Sequence, residues 1–401
     1  MAVKEEVGEA VSLLHDFAAQ QHANVFMRAF SFPASQLPAA AEKEVELADR
    51  VMLIDDIAFI FALREREQRV AFKVGDLEKW ISNQVSRKGV KQIQNTRELL
   101  ARYVGLSLVN HFGHRVLASP GDPESMIGII IYRVHAKSHA FRAARFKRNT
   151  HGNFVHILRD VEYFEICQHF ATPAELFHYL SFRRDILLSW DAPSAGVTET
   201  ALIGQYLDED YSSPPDQRFE KSARSRVGAA ACELSFVLDS LAAKIASQDV
   251  DEAEDERDGD EERADDCYEI LSELAMLSGH ELRAFRQEIR LALESVRSDR
   301  FELPYRIVSH RTGCGFLIVP LTSEFHERAY GALKSLSIAS KHELDLDRQV
   351  GIGMWKNSEF VDIEWIFLAG ENPPDPKLDE RLATSYPFRI SSERRLPPIF
   401  R

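Results

Sequence analysis

The sequence predicts an α/β amino-terminal core, a mixed sheet flanked by helices, followed by a helical section and a small α+β domain at the carboxyl end. Three observations carry this prediction. Residues 46–66, ELADRVMLIDDIAFIFALRER, hold two apolar runs around a pair of aspartates, and a long helical stretch and the apolar run MIGIIIY follow them. Between residues 218 and 300, apolar residues recur at helical spacing. Past residue 301, two pairs of short β-rich runs flank one helical stretch.

Taken in order, residues 3–20 form an amphipathic helix with Val7, Val11, Leu14 and Ala18 on one stripe. Residues 30–41, punctuated by Pro33 and Pro38, read as a loop, and a first strand is expected near 42–48. Residues 51–54 and 57–61 then pair around an Asp55-Asp56 turn, which is acceptable hairpin chemistry although Asp-Gly would be stronger. If those two aspartates are the loop, Ile54 pairs with Ile57, and counting outward brings Asp49 opposite Ala62. Side chains repeat with period two along a strand, so Arg64 shares the face of Asp49 and Ala62.

Residues 76–103 have helical character, with Leu77, Trp80, Ile81, Val85, Val90, Ile93, Leu99 and Leu100 as the apolar set and Gly89 interrupting it. The same stretch displays Lys79, Arg87, Lys88, Lys91, Gln92 and Arg97. MIGIIIY at 126–132 is a continuous apolar run typical of a buried strand, and NFVHIL at 153–158 reads as another. Thr172-Pro173-Ala174-Glu175 combines a capping threonine, proline at the first helical position and glutamate at the third, so a helix starts there. Prolines and glycine at 191–197 and 212–216 mark linker-like chain, with a soft boundary near 215.

At the hairpin the chain resembles the PD-(D/E)XK, or restriction-endonuclease-like, nuclease superfamily. In that superfamily an Asp on one strand and a Glu-x-Lys on the next hold a divalent cation and an attacking water. Carboxylate oxygens suit Mg²⁺ because they leave room in its shell for phosphate oxygens and water, and the cation steadies the charge that develops. Asp49 fits the first position, whereas Ala62 stands where the second carboxylate belongs and Arg64 where the lysine belongs. A guanidinium contacts phosphate bidentately but keeps its proton, so it is a poor proton shuttle. The resemblance implies a catalytic set of Asp49, Arg64, Lys91 and Gln92, the last two lent by the helix after the hairpin. It also implies Mg²⁺ held by Asp49 and Glu9, with Glu65 as a substitute carboxylate if a β-bulge turns it to that face. The implied core order is α-β-β-β-α-β over roughly the first 160 residues. Function follows by analogy: nucleic-acid binding with weak or lost phosphodiester hydrolysis, in defence or genome maintenance. The alternative is a non-catalytic interaction or regulatory protein built on a degenerate nuclease fold.

Charge is distributed unevenly. The chain has 401 residues and a formal net charge of -14, but residues 249–266 alone contain 12 acidic and 2 basic residues, 2 - 12 = -10. That density argues for a hydrated loop. By contrast, residues 125–159 hold Arg133, Lys137, Arg142, Arg145, Lys147, Arg148 and Arg159 with no acidic residue. The first six are the expected contacts to DNA or RNA, because a local positive strip attracts phosphate despite the overall sign. His111 and His114 have helical metal-ligand spacing, but Gly113 lies between them and no carboxylate or cysteine is near.

Beyond the acidic run, helical pattern resumes at Ala264, and Ser278 with Glu281 caps a further helix. This section is the expected site of any protein partner. Runs at 305–309 and 315–321 bracket HRTGCG, a helix covers 324–340, and 349–355 and 360–368 bracket KNSE. The expected domains are 1–160, 161–300 with the acidic loop 249–266, and 301–401. No apolar run approaches the roughly 20 residues that span a bilayer, and four scattered cysteines lack metal spacing, so the reading is a cytoplasmic protein without membrane contact. No P-loop, GxGxxG or GxSxG is present, which removes nucleotide folds and nucleophile elbows from the list.

Overall fold

The computed structural model describes residues 13–37, 46–66, 74–103, 105–113, 115–118, 122, 125–134, 144–149, 151–190, 197–226, 238, 241, 260–358 and 360–389. Glu9, Lys137, Arg142, His114 and residues 249–259 of the acidic run lie outside them. The chain is mixed α/β and divides into two compact units, Met1–Ala229 and Ala230–Arg401. The helices after residue 160 are therefore shared between the units instead of forming a section of their own.

The first unit begins with α1 (Leu13–Ala23) and α2 (Val25–Phe30), the latter capped by the Asn24 side chain. β1 (Ser31–Pro33), β2 (Arg50–Ile54) and β3 (Ile57–Arg66) follow. The first described strand thus falls inside the stretch that reads as a loop, while residues 42–45 of the expected strand lie outside the described residues and 46–48 are not strand. Proline is tolerated there because β1 is an edge strand, where a missing N–H leaves no ladder bond unmade, and Phe32 beside it is fully buried. The hairpin register is as the sequence predicts: Ile54 pairs with Ile57 and Arg50 with Phe61. Asp55 takes φ 46°, a left-handed conformation that a short polar residue accepts at a tight turn.

One long helical run then crosses the sheet. It comprises α3 (Val74–Trp80), a π-helical segment (Ile81–Gly89) and α4 (Val90–Leu100). A two-stranded ribbon, β4 (Leu106–Val109) with β5 (Arg115–Ala118), precedes β6 (Ile127–Val134), β7 (Phe146–Arg148) and β8 (Phe154–Arg159). The six-stranded sheet runs β1-β2-β3-β6-β8-β7. β1, β2 and β3 are antiparallel neighbours, β3, β6 and β8 are parallel, and β7 returns antiparallel to β8.

The two sheet faces bury different layers. Val51, Leu53, Ile60, Ala62, Ile130, Tyr132, Val155 and Ile157 point to one face and meet Leu77, Ile81, Val85 and Ile93 of the helical run. Helix and sheet approach closely here: a Cβ on Gly89 would lie 2.9 Å from Ile130, and one on Gly128 would lie 2.6 Å from Ile93. The other face carries Phe59 and Phe61, which pack on Phe17 of α1, Tyr163 of α5 (Asp160–His169) and Phe177 of α6 (Pro173–Ser189). α6 starts at the predicted capping box of Thr172 and Glu175. α7 (Glu199–Leu207) and α8 (Arg218–Arg226) complete the unit.

The second unit is a four-stranded sheet in the order β12-β11-β10-β9. Its strands are β9 (Tyr305–Val308), β10 (Gly315–Leu321), β11 (Arg348–Asn357) and β12 (Phe360–Ala369). The predicted pair of hairpins around one helix is present, joined by parallel pairing of β10 with β11. Its described helices are α9 (Asp260–Ala275), α10 (Gly279–Arg297), α11 (Ala329–Glu343) and α12 (Pro376–Thr384). The end of the acidic run is therefore helix, since α9 begins at Asp260. Trp355 and Trp365 are buried, as core tryptophans should be. Among the described residues, no helix is long and apolar enough to cross a membrane.

Candidate functional site

The hairpin register brings Asp49 and Arg64 together at the end of β3. Arg64 Nη1 lies 3.3 Å from Asp49 Oδ2, and the same oxygen accepts the Leu63 backbone N–H at 2.7 Å. Arg64 also donates through Nε to the carbonyl of Gln84, at 3.2 Å, so the guanidinium is strapped to the π-helical segment above it. Its side chain is 13% exposed, and that of Asp49 is 38% exposed. Ala62 behaves differently: it is fully buried in the apolar layer beneath Leu77, Ile81 and Val85.

These contacts decide what the pair can do. A divalent cation needs several oxygen ligands, and Mg²⁺ needs near-octahedral ones. Asp49 is one carboxylate, and its inward oxygen already carries a backbone amide and a guanidinium. Glu65 does not supply a second. It follows the regular alternation of β3 onto the opposite face, where it accepts the Leu13 N–H at 2.7 Å and lies 3.9 Å from Arg133. Among the described residues, no group of three His, Cys, Asp or Glu side chains is arranged to hold a metal ion. The described residues at Asp49 therefore do not fit Mg²⁺. Neither Lys91 nor Gln92 bonds to Asp49 or Arg64. Lys91 is exposed, and Gln92 is half-buried with its Oε1 shielded and without a hydrogen-bond partner among the described residues.

No protein family, curated protein or solved structure matches this chain.

Among the described residues, the basic positions of 125–159 do not form one continuous strip. Arg133, at the end of β6, is 11% exposed and grips Asp16 of α1 and Asp160 of α5, the latter at 2.6 Å. Arg145 is buried and bonds Glu199 of α7 at 2.9 Å. Neither arginine is open to phosphate, a correction to the reading of both. Lys147 and Arg148 are exposed on β7 and remain available.

Glu199, which sequence reading missed, organises a buried polar cluster in this unit. Arg183 donates to it twice, through Nε at 2.9 Å and Nη2 at 3.2 Å, and the Tyr179 hydroxyl donates as well. Burial alone would raise the Glu199 carboxyl, but Arg183 and Arg145 overcome it and hold the group below the usual carboxylate range. A signal was present in α6. Arg183 falls on the stripe of Tyr179, Leu180, Ile186 and Leu187, and a cation on an apolar stripe requires a buried partner.

Arg183 also reaches His156, with Nη1 3.0 Å from Nδ1. A guanidinium has only donors, so His156 accepts and is neutral. Burial first, and then the charges of Arg183 and Arg184, push its pKa well below the ordinary value of 6.5. The unfolded chain takes up this proton as pH falls through about 6.5 while the folded chain does not, so stability present above that pH is lost below it. The thermal midpoint is therefore expected to fall between about pH 7.5 and pH 5.5, more steeply in wild type than in His156→Gln. Equal slopes in the two would contradict the assignment.

Proposed function

We propose that the first unit is a nuclease-fold domain that binds nucleic acid and has lost metal-dependent phosphodiester hydrolysis. The observation that carries this reading is the arrangement of Asp49, Ala62 and Arg64 on a helix-covered sheet whose strands run antiparallel, antiparallel, parallel from β1 to β6. With α1–α2 before, and the helical run and the β4–β5 ribbon between β3 and β6, the element order is compatible with an α-β-β-β-α-β core into which that ribbon is inserted. It supports a restriction-endonuclease-like core. The chemistry of the site supports loss of cleavage: one carboxylate is bound by an arginine, the second is a buried alanine, and the lysine is replaced by a guanidinium that holds its proton. Roles in defence or genome maintenance rest on the fold analogy alone.

The test is a paired binding and cleavage assay on plasmid and single-stranded substrates, with Mg²⁺ or Mn²⁺, comparing wild type with Asp49→Asn. Both proteins are expected to retain nucleic acid at low salt and to cut it no faster than buffer. Metal-dependent cleavage that disappears in Asp49→Asn would overturn the loss of activity. Failure of either protein to retain nucleic acid would favour the plain interaction protein.

A further inference from the structure

The exposed cations of the first unit are only partly those of the linear charge pattern. We propose that the phosphate-binding surface of this unit is the outer side of the helical run over 84–94, continued onto β7, with Arg87, Lys88, Lys91 and Lys147 as its phosphate contacts. This rests on the nucleic-acid reading above and says which surface serves it.

Three observations place these four side chains together. The Gln84 carbonyl is fixed to Arg64, so the π-helical segment starts its outer side above the end of β3. Gln94, one turn past Lys91, accepts a hydrogen bond from the Asn149 side chain, so the helix reaches the chain just beyond β7. Lys147 pairs with Val155, and Val155 packs under Ile93; directly opposed residues share a face, so Lys147 stands on the helix-covered side of the sheet. Arg148 takes the opposite side.

The electrostatics distinguish this surface from the buried arginines. Arg87, Lys88, Lys91 and Lys147 are all exposed, and none has an ion-pair partner among the described residues. Arg133 and Arg145, by contrast, are spent on internal carboxylates. Along the helical run from Gln84 to Gln94 and onto β7 the cations span several backbone phosphates of a nucleic acid. No side chain in this set offers a built pocket for a base, so the surface reads phosphate and not sequence.

The experiment is fluorescence anisotropy with labelled duplex and single-stranded oligonucleotides of mixed sequence, from 50 to 200 mM salt. The proteins are wild type, Lys91→Glu, Lys147→Glu and Arg184→Glu. Arg184 is an exposed cation on α6, which covers the other sheet face, so its reversal matches the charge change without touching the track. Four phosphate contacts predict a slope of log affinity against log salt near -3.6 for duplex and -2.8 for single strands, a loss on the order of a hundredfold over this range. Lys91→Glu and Lys147→Glu are each expected to weaken binding about tenfold and to flatten the slope by about one unit, with Arg184→Glu close to wild type. If wild type binds and all three variants behave alike, the surface is wrong and the nucleic-acid reading stands. If wild type shows no binding at 50 mM salt, the reading fails and the surface with it.

Discussion

Replacing Glu199 by alanine is expected to destabilise the first unit by about 3–5 kcal/mol, because it removes the hydrogen-bonded anion of two buried guanidinium groups and leaves only Glu162, 3.9 Å from Arg145. Arg183 is fully buried and Arg145 nearly so, and both point at the same carboxylate. The desolvation cost of those cations is met mainly by the charge of Glu199. Glu199→Gln keeps the shape and one acceptor and loses the charge, so it should fall between wild type and alanine. Urea denaturation of the full chain, followed by far-ultraviolet circular dichroism, reads the difference. A loss in Glu199→Ala below about 1 kcal/mol would mean that water reaches the cluster and that it does not anchor α6 and α7.

Ala62→Glu, the change that would rebuild the missing carboxylate, is expected to cost at least about 3 kcal/mol and not to create a metal site. Ala62 has no exposed surface and is enclosed by Leu77, Ile81 and Val85, so a carboxyl placed there enters an apolar layer. The helical run has little room to retreat, since Gly89 and Gly128 already bring it against β6. Denaturation of Ala62→Glu with and without Mg²⁺ separates two cases. Unchanged low stability in both conditions fits a core position. Stability restored by Mg²⁺ would show an open cleft lacking only a ligand.

Much of the hairpin was legible, because apolar runs around two aspartates leave one register that buries both faces. The carboxyl-terminal strands and the caps at Thr172 and Ser278 were legible for the same local reasons. β1 was not, since Pro33 looks like loop punctuation until an edge position is known. The basic strip misled because the acids that pair with its buried arginines fall outside it in sequence: Asp16 and Asp160 for Arg133, and Glu199 for Arg145. A count over 35 neighbouring positions sees none of them, and strand alternation sends successive cations to opposite faces.

The Asp49 carboxylate holds Arg64 and the Leu63 amide in place of a metal ion. Titration of Mn²⁺ into the full chain, read by the loss of free-ion electron paramagnetic resonance signal, measures this directly in wild type and Asp49→Asn. With Arg64 as the partner, the two curves should coincide and show no stoichiometric site. One tightly bound ion in wild type, absent from Asp49→Asn, would contradict it.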